Sequence, residues 1–196
     1  MRVPRTISTA TVGLAMLALA ISSIAQEKQS SFKTRIKNFG CINENFFRGA
    51  QPKDSDYKDL ATMGVKTIID LRDDAERNEQ RFVEDAGMKY VNIPMKDDAR
   101  PADQKVQEFL KIVNDPANLP IYVHCKGGRH RTGLVTAVYR MEKDGWDVNQ
   151  AYSEMKRFDF GYGFGHGALK DYVFDYHVNN LKGAVGSTVA GETSKK

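Results

Sequence analysis

The sequence has few of the residues that build cross-linked scaffolds. Among its 196 residues there are only two cysteines, Cys41 and Cys125. Two cysteines allow at most one disulfide bridge, which excludes a disulfide-rich fold. No internal repeat is visible, and the length suits one compact domain with short appendages.

A strong excess of one charge is also lacking. The chain has 29 basic and 25 acidic residues, and its N-terminal 25 residues contain two basic and no acidic ones. The net charge of the remainder is therefore +2, against +4 for the whole chain. This is too small for a nucleic-acid-binding surface, and no basic stretch is interleaved with aromatic residues. We expect no nucleic-acid partner, and any preference for anions must be local.

The N-terminus has the layout of a secretory signal peptide. Arg2 and Arg5 precede an apolar run over residues 11–24, which ends in the small residues Ser-Ile-Ala at Ala25. This pattern predicts cleavage before Gln26 and export to the periplasm or the medium. A transmembrane helix usually needs about 20 apolar residues. We therefore expect no stable membrane insertion after cleavage, with an uncleaved membrane anchor as the alternative.

Apolar periodicity in the rest of the chain predicts alternating strands and helices. Strands are predicted at 65–71, 88–93 and 120–124, and helices at 54–63, 75–86, 101–113, 132–143, 147–158 and 168–181. The alternation favours a single α/β domain with a mostly parallel sheet of about four to five strands flanked by helices. The predicted organisation is a signal peptide (1–25), a polar leader (26–34), a folded domain (35–181) and a disordered tail (182–196).

One segment combines a cysteine, glycines and an arginine between a predicted strand and a predicted helix. It reads Val123-His124-Cys125-Lys126-Gly127-Gly128-Arg129-His130-Arg131-Thr132-Gly133. Five residues between cysteine and arginine form a loop that can wrap one phosphate with its backbone N–H groups. The following helix N-terminus favours an anion and a thiolate. The cysteine can then act as a nucleophile, and the arginine can bind two phosphate oxygens.

This segment resembles the active-site loop of the protein tyrosine phosphatase superfamily, His-Cys-x5-Arg-Ser/Thr. The resemblance implies that Cys125 forms a phosphocysteine intermediate and that Arg131 binds substrate and stabilises the transition state. It also implies that Thr132 helps to release the thiolate and that His124 helps to keep the cysteine ionised. The phosphate-binding loop would consist of Lys126, Gly127, Gly128, Arg129, His130 and Arg131. The alternative for Cys125 is a buried structural thiol.

Two upstream segments indicate which group within the superfamily the chain resembles. Residues 47–52 (FRGAQP) and 67–72 (TIIDLR), together with GRHRTG at 128–133, are similar to plant and fungal atypical dual-specificity phosphatases and their bacterial relatives. The resemblance covers residues 36–180. It implies a dual-specificity-phosphatase-like fold and a phosphorylated substrate, either a phosphoprotein or an inositol phosphate. We predict neither a cofactor nor a metal.

A general acid is expected in the loop after the predicted strand 88–93. Asp97 and Asp98 lie 28 and 27 residues before Cys125. Hydrolysis of an alkyl phosphate needs a proton donor for the leaving oxygen, and adjacent carboxylates favour protonation of one of them. We favour Asp98 because the Ala-Arg-Pro that follows it resembles the turn after the donor in small dual-specificity phosphatases. Asp97 is the next choice, and two solvated loop acids are the alternative.

Several features have two interpretations. Lys126, Arg129 and His130 either face solvent or form a second cationic shell for a multiply phosphorylated substrate. Cys41 is either a packed apolar residue or a reversible disulfide partner of Cys125. The aromatic- and glycine-rich stretch 158–167 either rims a pocket or packs on itself.

Two other functions compete with a phosphatase. One is a rhodanese-like sulfurtransferase or an arsenate reductase, which also places a cysteine in an anion-binding loop. Arg131, Thr132 and the upstream acidic loop argue against it. The other is a non-catalytic phospho-ligand binding module, which would not need an intact cysteine, arginine and threonine.

Overall fold

A computed structural model describes residues 34–75, 78–161 and 165–177. The predicted signal peptide, most of the polar leader and the predicted tail lie outside these residues. Within them, no helix is both long enough and apolar enough to cross a membrane.

A five-stranded sheet lies at the centre of the described chain. The strands are β1 (Gly40–Asn43), β2 (Phe46–Ala50), β3 (Thr67–Arg72), β4 (Lys89–Met95) and β5 (Ile121–Cys125). Their order is β1-β2-β5-β3-β4. The last four strands of this order are mutually parallel, and β1 pairs antiparallel with β2 at one edge. This confirms the predicted mostly parallel sheet.

Helices cover both faces of the sheet. They are α1 (Asp56–Thr62), α2 (Glu79–Asp85), α3 (Asp103–Val113), α4 (His130–Lys143), α5 (Val148–Arg157) and α6, which spans residues 167–177 of the described chain. A short 3₁₀ turn (Pro116–Asn118) precedes β5. Each predicted helix is present, although α2 is shorter than its predicted range and α4 begins two residues earlier. The α5 start is fixed by Asp147, which forms a capping box with Gln150.

The central strands are buried on both faces, as in other parallel sheets. In β3, Ile69 and Leu71 join the core beneath α3, α4, α5 and α6, whereas Ile68 joins the second core beneath α1 and α2. All six residues of β3 and all five of β5 are buried. These strands therefore provide a rigid base for the loops that follow them.

The hairpin β1–β2 was not among the predicted elements. Its second strand reads Phe-Phe-Arg-Gly-Ala, and an arginine beside a glycine hides the apolar pattern of a strand. The structure explains Gly49, because a Cβ there would lie 2.3 Å from the hydroxyl of Tyr122. Packing against β5, which sequence periodicity does not reveal, thus determines the residue type.

The carboxyl ends of the parallel strands meet at one edge of the sheet. Ala50 at the end of β2 pairs with Cys125 at the end of β5, and β3 and β4 end nearby at Arg72 and Met95. Ligands commonly bind at this edge in open α/β sheets. The segment that carries the cysteine motif begins here.

Candidate active site

Cys125 lies at the base of a small cavity. It ends β5, its exposed fraction is 3%, and the loop 126–129 leads directly into α4. The cavity has a volume of about 240 Å³. Its described lining residues are Asp97, Cys125, Lys126, Gly127, Arg129, His130 and Arg131. The structure therefore brings the expected nucleophile, the expected arginine and one expected acid to the same cavity.

Arg131 is anchored through one nitrogen of its guanidinium group. Its Nη1 donates hydrogen bonds to Asp73 Oδ1 at 3.0 Å and to the carbonyl oxygen of Met95 at 2.9 Å. Its Nε is buried and has no hydrogen-bond partner among the described residues. Since a guanidinium is a rigid planar fork, two anchors on Nη1 fix the orientation of the remaining donors. In this orientation, Arg131 is suited to bind phosphate oxygens.

Thr132 follows Arg131 in the first turn of α4 and is fully buried. Its backbone carbonyl accepts a hydrogen bond from Thr136 Oγ1 at 2.7 Å. Its own Oγ1 has no partner among the described residues. A buried hydroxyl rarely stays unsatisfied in a working protein. This leaves the hydroxyl available for the predicted role beside the thiolate.

His124 precedes Cys125 on β5 and lies among buried carboxylates. Its Nε2 lies 2.9 Å from Glu79 Oε1, and its Nδ1 lies 3.8 Å from Asp70 Oδ1. Arg72 pairs with both carboxylates. Burial alone would raise the pKa of Asp70, but the hydrogen bonds from Arg72 lower it below its ordinary value. The imidazole therefore lies beside two carboxylates that Arg72 keeps in place.

Among the described residues, the side chains around His124 also have the spacing of metal ligands. The ligand atoms of Asp70, Glu79 and His124 lie within 4.8 Å of one another. Arg72 already pairs with both carboxylates, and Tyr57 and Tyr90 each donate a hydroxyl to one of them. A cation would have to displace these donors, so we assign no metal here. The sequence prediction of no metal and no cofactor stays a prediction.

The acid loop, residues 96–101, follows β4 and contains both candidate acids. Asp97 lines the cavity beside Cys125, whereas Asp98 is not among the described residues that do so and lies next to Gly165. The backbone carbonyl of Asp97 lies 2.8 Å from His166 Nδ1. The geometry therefore favours Asp97 as donor, although the sequence argument favours Asp98.

The stretch 158–167 packs onto the phosphate loop where the structure describes it. The ring of Phe158 lies 3.9 Å below the guanidinium carbon of Arg48. The ring of Phe160 meets His130 edge-on at 5.5 Å. Of the two interpretations of this stretch, the contacts favour a rim of the cavity over a loop that packs only on itself.

Three residues could form a second cationic shell around the cavity, and one of them is not positively charged. Lys126 is exposed, and Arg129 lies with its Nε 4.0 Å from Asp159. Burial, followed by the charges of His166 and Arg129, lowers the pKa of His130 to about 4. His130 is therefore neutral at pH 7. A second cationic shell would consist of Lys126 and Arg129 only.

The proposed bridge between Cys41 and Cys125 is wrong. Cys41 pairs with Phe47, and Phe47 pairs with Tyr122, which lies three residues before Cys125. Two strand spacings and three residue rises separate their Cα atoms by about 14 Å. A disulfide needs less than about 7 Å. Neither thiol is part of a disulfide, and the part-buried position of Cys41 fits the interpretation as a packed residue.

Sequence reasoning assigned no role to five side chains at or behind this site. They are Arg48, Asp70, Asp73, Glu79 and His166. Arg48 and Asp70 had a usable signal, since a charged residue within an otherwise apolar strand must find a buried partner. Asp73, Glu79 and His166 had none, because their contacts depend on how distant loops meet.

A buried cysteine and an anchored arginine, on a loop between a parallel strand and a helix, define the catalytic centre of the protein tyrosine phosphatase superfamily. The chain belongs to the family described as DSP-PTPase phosphatase fused to NAD+ kinase, whose model matches residues 22–166. This membership decides against the sulfurtransferase alternative.

Curated relatives carry phosphatase names. The chain is 32% identical over 126 residues to the probable tyrosine-protein phosphatase DG1060 of Dictyostelium discoideum, covering 62% of this chain and 75% of that protein. It is 29% identical over 134 residues to the inositol diphosphatase DSP2 of Oryza sativa subsp. japonica, covering 62% of this chain and 61% of that protein. The chain thus spans less than two thirds of this plant relative.

Solved structures agree on the fold. The crystal structure of TpbA from P. aeruginosa matches with a TM-score of 0.65 and 27% identity, over 80% of this chain and 94% of that one. The catalytic core of the PP-IP phosphatase SIW14 from S. cerevisiae matches with a TM-score of 0.65 and 22% identity, over 80% and 96%. The second likeness shows the fold alone. The predicted dual-specificity-phosphatase-like architecture is confirmed.

Proposed function

We propose that this protein hydrolyses phosphomonoesters through a phosphocysteine intermediate on Cys125. The observation that carries the proposal is the single cavity that Cys125, Arg131 and Asp97 line together. Nucleophile, anion-binding fork and proton donor are the three groups that this reaction needs. Membership of a phosphatase family supports the same reaction.

In the first step, the Cys125 thiolate attacks phosphorus from the base of the cavity. An S–P bond forms while the bond between phosphorus and the leaving oxygen breaks. Asp97 transfers its proton to that oxygen, and the alcohol or phenol departs. Arg131, oriented by Asp73 and the Met95 carbonyl, binds the equatorial oxygens whose charge must be stabilised.

In the second step, water attacks the phosphocysteine. The Asp97 carboxylate takes a proton from the water, a P–O bond forms, and the S–P bond breaks to release phosphate. The buried Thr132 hydroxyl can donate to the departing sulfur, because it has no other partner among the described residues. His124, whose Nε2 lies 2.9 Å from Glu79 Oε1, helps to keep the regenerated sulfur ionised.

Within this reaction we favour a multiply phosphorylated small molecule, such as an inositol phosphate, as substrate. Lys126, Arg129 and Arg131 line the cavity, and its described lining includes no aromatic ring apart from the imidazole of His130. A phosphotyrosine ring would need apolar walls, whereas a second phosphate would be attracted by the cations beside Arg131. The relative DSP2 is named an inositol diphosphatase. Phosphotyrosine peptides are the second candidate, since DG1060 is named a tyrosine-protein phosphatase.

The reaction is tested with p-nitrophenyl phosphate. Cys125→Ser and Arg131→Lys should lower kcat/KM by at least about 1000-fold, because the first removes the nucleophile and the second removes the bidentate fork. Rapid quenching of the wild type should trap phosphate on the Cys125 peptide. Full activity of Cys125→Ser would sink the proposal. Unchanged ligand binding without any turnover by the wild type would favour the binding-module alternative.

The substrate class is tested with a panel of inositol phosphates, inositol pyrophosphates and phosphotyrosine peptides. The double variant Lys126→Met/Arg129→Met should lose much more kcat/KM on the multiply phosphorylated substrates than on p-nitrophenyl phosphate. Equal losses on both would leave these cations without a role in substrate choice. Higher kcat/KM on the phosphopeptides would favour the second candidate.

We also propose that residues 1–25 direct export of the enzyme. The layout of charges, apolar run and small residues before Gln26 supports this. The full-length chain should be expressed in a bacterial host and the exported fraction subjected to N-terminal sequencing. A mature N-terminus at Gln26 is expected. An intact N-terminus in the membrane fraction would favour the uncleaved anchor.

A further inference from the structure

Three successive carbonyls of the phosphate loop are bound by donors from the N-terminal part of the domain. The carbonyl of Lys126 accepts from the backbone N–H of Gln51 at 3.4 Å. The carbonyl of Gly127 accepts from Asn38 Nδ2 at 2.8 Å. The carbonyl of Gly128 accepts from Arg48 Nη2. Residues 38–51 therefore bind three consecutive carbonyls in the first half of the loop.

These bonds determine where the amide N–H groups of the loop point. In a planar trans peptide, the carbonyl of one residue and the N–H of the next point in opposite directions. Carbonyls that are drawn outward to Asn38, Arg48 and Gln51 thus turn the following three N–H groups inward. Inward N–H groups are what an anion in the loop requires.

Arg48 also brings a buried charge. It is fully buried on β2, where it pairs with Val123, two residues before Cys125 on the adjacent strand β5. Burial lowers the pKa of Arg48 to about 10, and the negative charges of Cys125 and Glu154 oppose that shift. Arg48 therefore remains a cation at pH 7. Its Nε and Nη1 have no hydrogen-bond partner among the described residues.

Other charged and titratable groups also face Cys125. Asp97 faces it from the acid loop, and His124 precedes it on β5 in contact with Asp70 and Glu79. Lys126, Arg129, His130 and Arg131 face it from the loop and the start of α4. Tyr122 lies on the same strand. Glu154 of α5 also acts on Arg48 and is itself paired with Arg140.

We propose that Arg48 is a positioning residue of this enzyme, which shapes the phosphate loop through the Gly128 carbonyl and stabilises the Cys125 thiolate with its buried charge. Asn38 shares the first task through the Gly127 carbonyl but not the second. The proposal rests on the proposed function, since it explains how that loop binds phosphate. Both tasks of Arg48 can still be measured without enzymatic turnover.

The test is alkylation of Cys125 by iodoacetamide, followed by peptide mass spectrometry over a range of pH. Cys41 in the same chain is the internal reference. Inorganic phosphate at increasing concentration measures loop shape, because bound phosphate protects Cys125. Three variants separate the two tasks: Arg48→Met removes the charge and the donor, Arg48→Lys keeps the charge, and Asn38→Gly removes one donor while tolerating the φ of +53° at that position. Arg81→Met, which removes an exposed charge on α2, is the control.

Arg48→Met should move the midpoint of the alkylation profile upward by about one pH unit, the effect of losing one nearby opposite charge. It should also weaken phosphate protection about tenfold. Arg48→Lys should keep the midpoint and weaken protection, and Asn38→Gly should do the same to a smaller extent. Arg81→Met should match the wild type.

A folded Arg48→Met protein with wild-type midpoint and protection would overturn the proposal. If Arg48→Met does not fold, wild-type protection in both Arg48→Lys and Asn38→Gly would overturn it. Failure of the proposed function gives a different result. In that case wild-type Cys125 would be neither protected by phosphate nor active on p-nitrophenyl phosphate.

Discussion

The imidazole rings of His130 and His166 stack with their centroids 3.4 Å apart and their planes inclined by 17°. His130 is the first residue of α4, and His166 directly precedes α6. The Nδ1 of His166 lies 2.8 Å from the carbonyl oxygen of Asp97. Because a carbonyl only accepts, this nitrogen carries the proton. The stack therefore joins the phosphate loop, the rim and the acid loop.

This relationship predicts that His166 keeps Asp97 in place. His166→Phe preserves an aromatic ring for stacking but removes the donor to the Asp97 carbonyl. A poor leaving group depends more on the proton donor than an activated one does. We expect kcat to fall about tenfold for an alkyl phosphate and about twofold for p-nitrophenyl phosphate, measured at saturating substrate.

The matched control is Asp175→Asn. Asp175 lies on α6, the helix that follows His166, and forms an exposed ion pair with Arg100 of the acid loop. Exposed pairs contribute little, so kcat should stay within about twofold on both substrates. Equal losses on the two substrates in His166→Phe would contradict a role through Asp97.

A second prediction concerns the two adjacent acids. Asp97→Asn should lower kcat for an alkyl phosphate by about 100-fold and remove the basic limb of its pH profile, because the proton donor is lost. Asp98→Asn should stay within a few-fold of the wild type, since Asp97 and not Asp98 lines the cavity. The opposite ranking of the two variants would return the role to Asp98.

These two acids show where sequence reasoning reached its limit. The spacing from Cys125 pointed to a loop that does border the cavity, because strand and helix lengths fix which loops meet at the edge of the sheet. It could not identify which carboxylate turns inward, since that depends on loop conformation. The preference for Asp98 followed a local motif, whereas the contact of Asp97 with His166 involves a residue 69 positions away.

In the rest of the domain, some elements could likewise be predicted from the sequence and others could not. The buried strands and amphipathic helices were predictable because their apolar periods reflect one-sided or two-sided burial. The hairpin β1–β2 was not, because Arg48 and Gly49 are explained by the phosphate loop and by Tyr122 rather than by strand propensity. Functional contacts override local pattern here, which is the expected place for such failures.

A third prediction compares two neighbouring glycines of the phosphate loop. Gly128 has a φ of +64°, and a Cβ there would lie 2.3 Å from the backbone carbon of Gly49. At Gly127, a Cβ would lie 3.5 Å or more from the Arg129 side chain, which is ordinary contact. Gly128→Ala should therefore destabilise the domain by at least about 2 kcal/mol and abolish phosphate protection of Cys125.

Gly127→Ala is the control and should cost less than about 1 kcal/mol. Urea unfolding measures the stabilities, and iodoacetamide alkylation measures protection. Two variants of equal stability and equal phosphate binding would show that the loop is not pressed against the end of β2.

A fourth prediction follows from the neutral state of His130. Its pKa in the folded protein is about 4, against 6.5 in an exposed histidine. Between these values the unfolded chain binds more protons than the folded one. His130 therefore favours folding above about pH 6.5, and this contribution is lost as the pH falls towards 4.

His130→Phe keeps a ring against His166 and Phe160 but cannot titrate. Its melting temperature should fall less than that of the wild type between pH 7.5 and pH 4.5. The expected difference is a few degrees, equivalent to about 1 kcal/mol after allowing for partial solvent screening. The other titrating groups are common to both proteins and cancel in the comparison. Identical pH dependence would show that His130 titrates normally.

The last prediction concerns oxidation of the nucleophile. Cys41 lies two strands away from Cys125 and three residues out of step with it, at a Cα distance of about 14 Å. It cannot form a disulfide with a sulfenic acid on Cys125 unless the sheet opens. Cys41→Ser should therefore lose activity in hydrogen peroxide at the wild-type rate and recover to the same extent in dithiothreitol.

Non-reducing peptide mapping of the oxidised wild type separates this prediction from a hidden bridge. We expect no linked peptide that contains both cysteines, and sulfinic acid should accumulate on Cys125 at high peroxide because no resolving thiol lies within reach. A Cys41–Cys125 peptide, or poorer recovery in Cys41→Ser, would require the edge pair β1–β2 to detach from β5. Since Arg48 binds the Gly128 carbonyl from that pair, detachment would also dismantle the phosphate loop. Oxidative protection through Cys41 and an intact catalytic site are thus mutually exclusive in this fold.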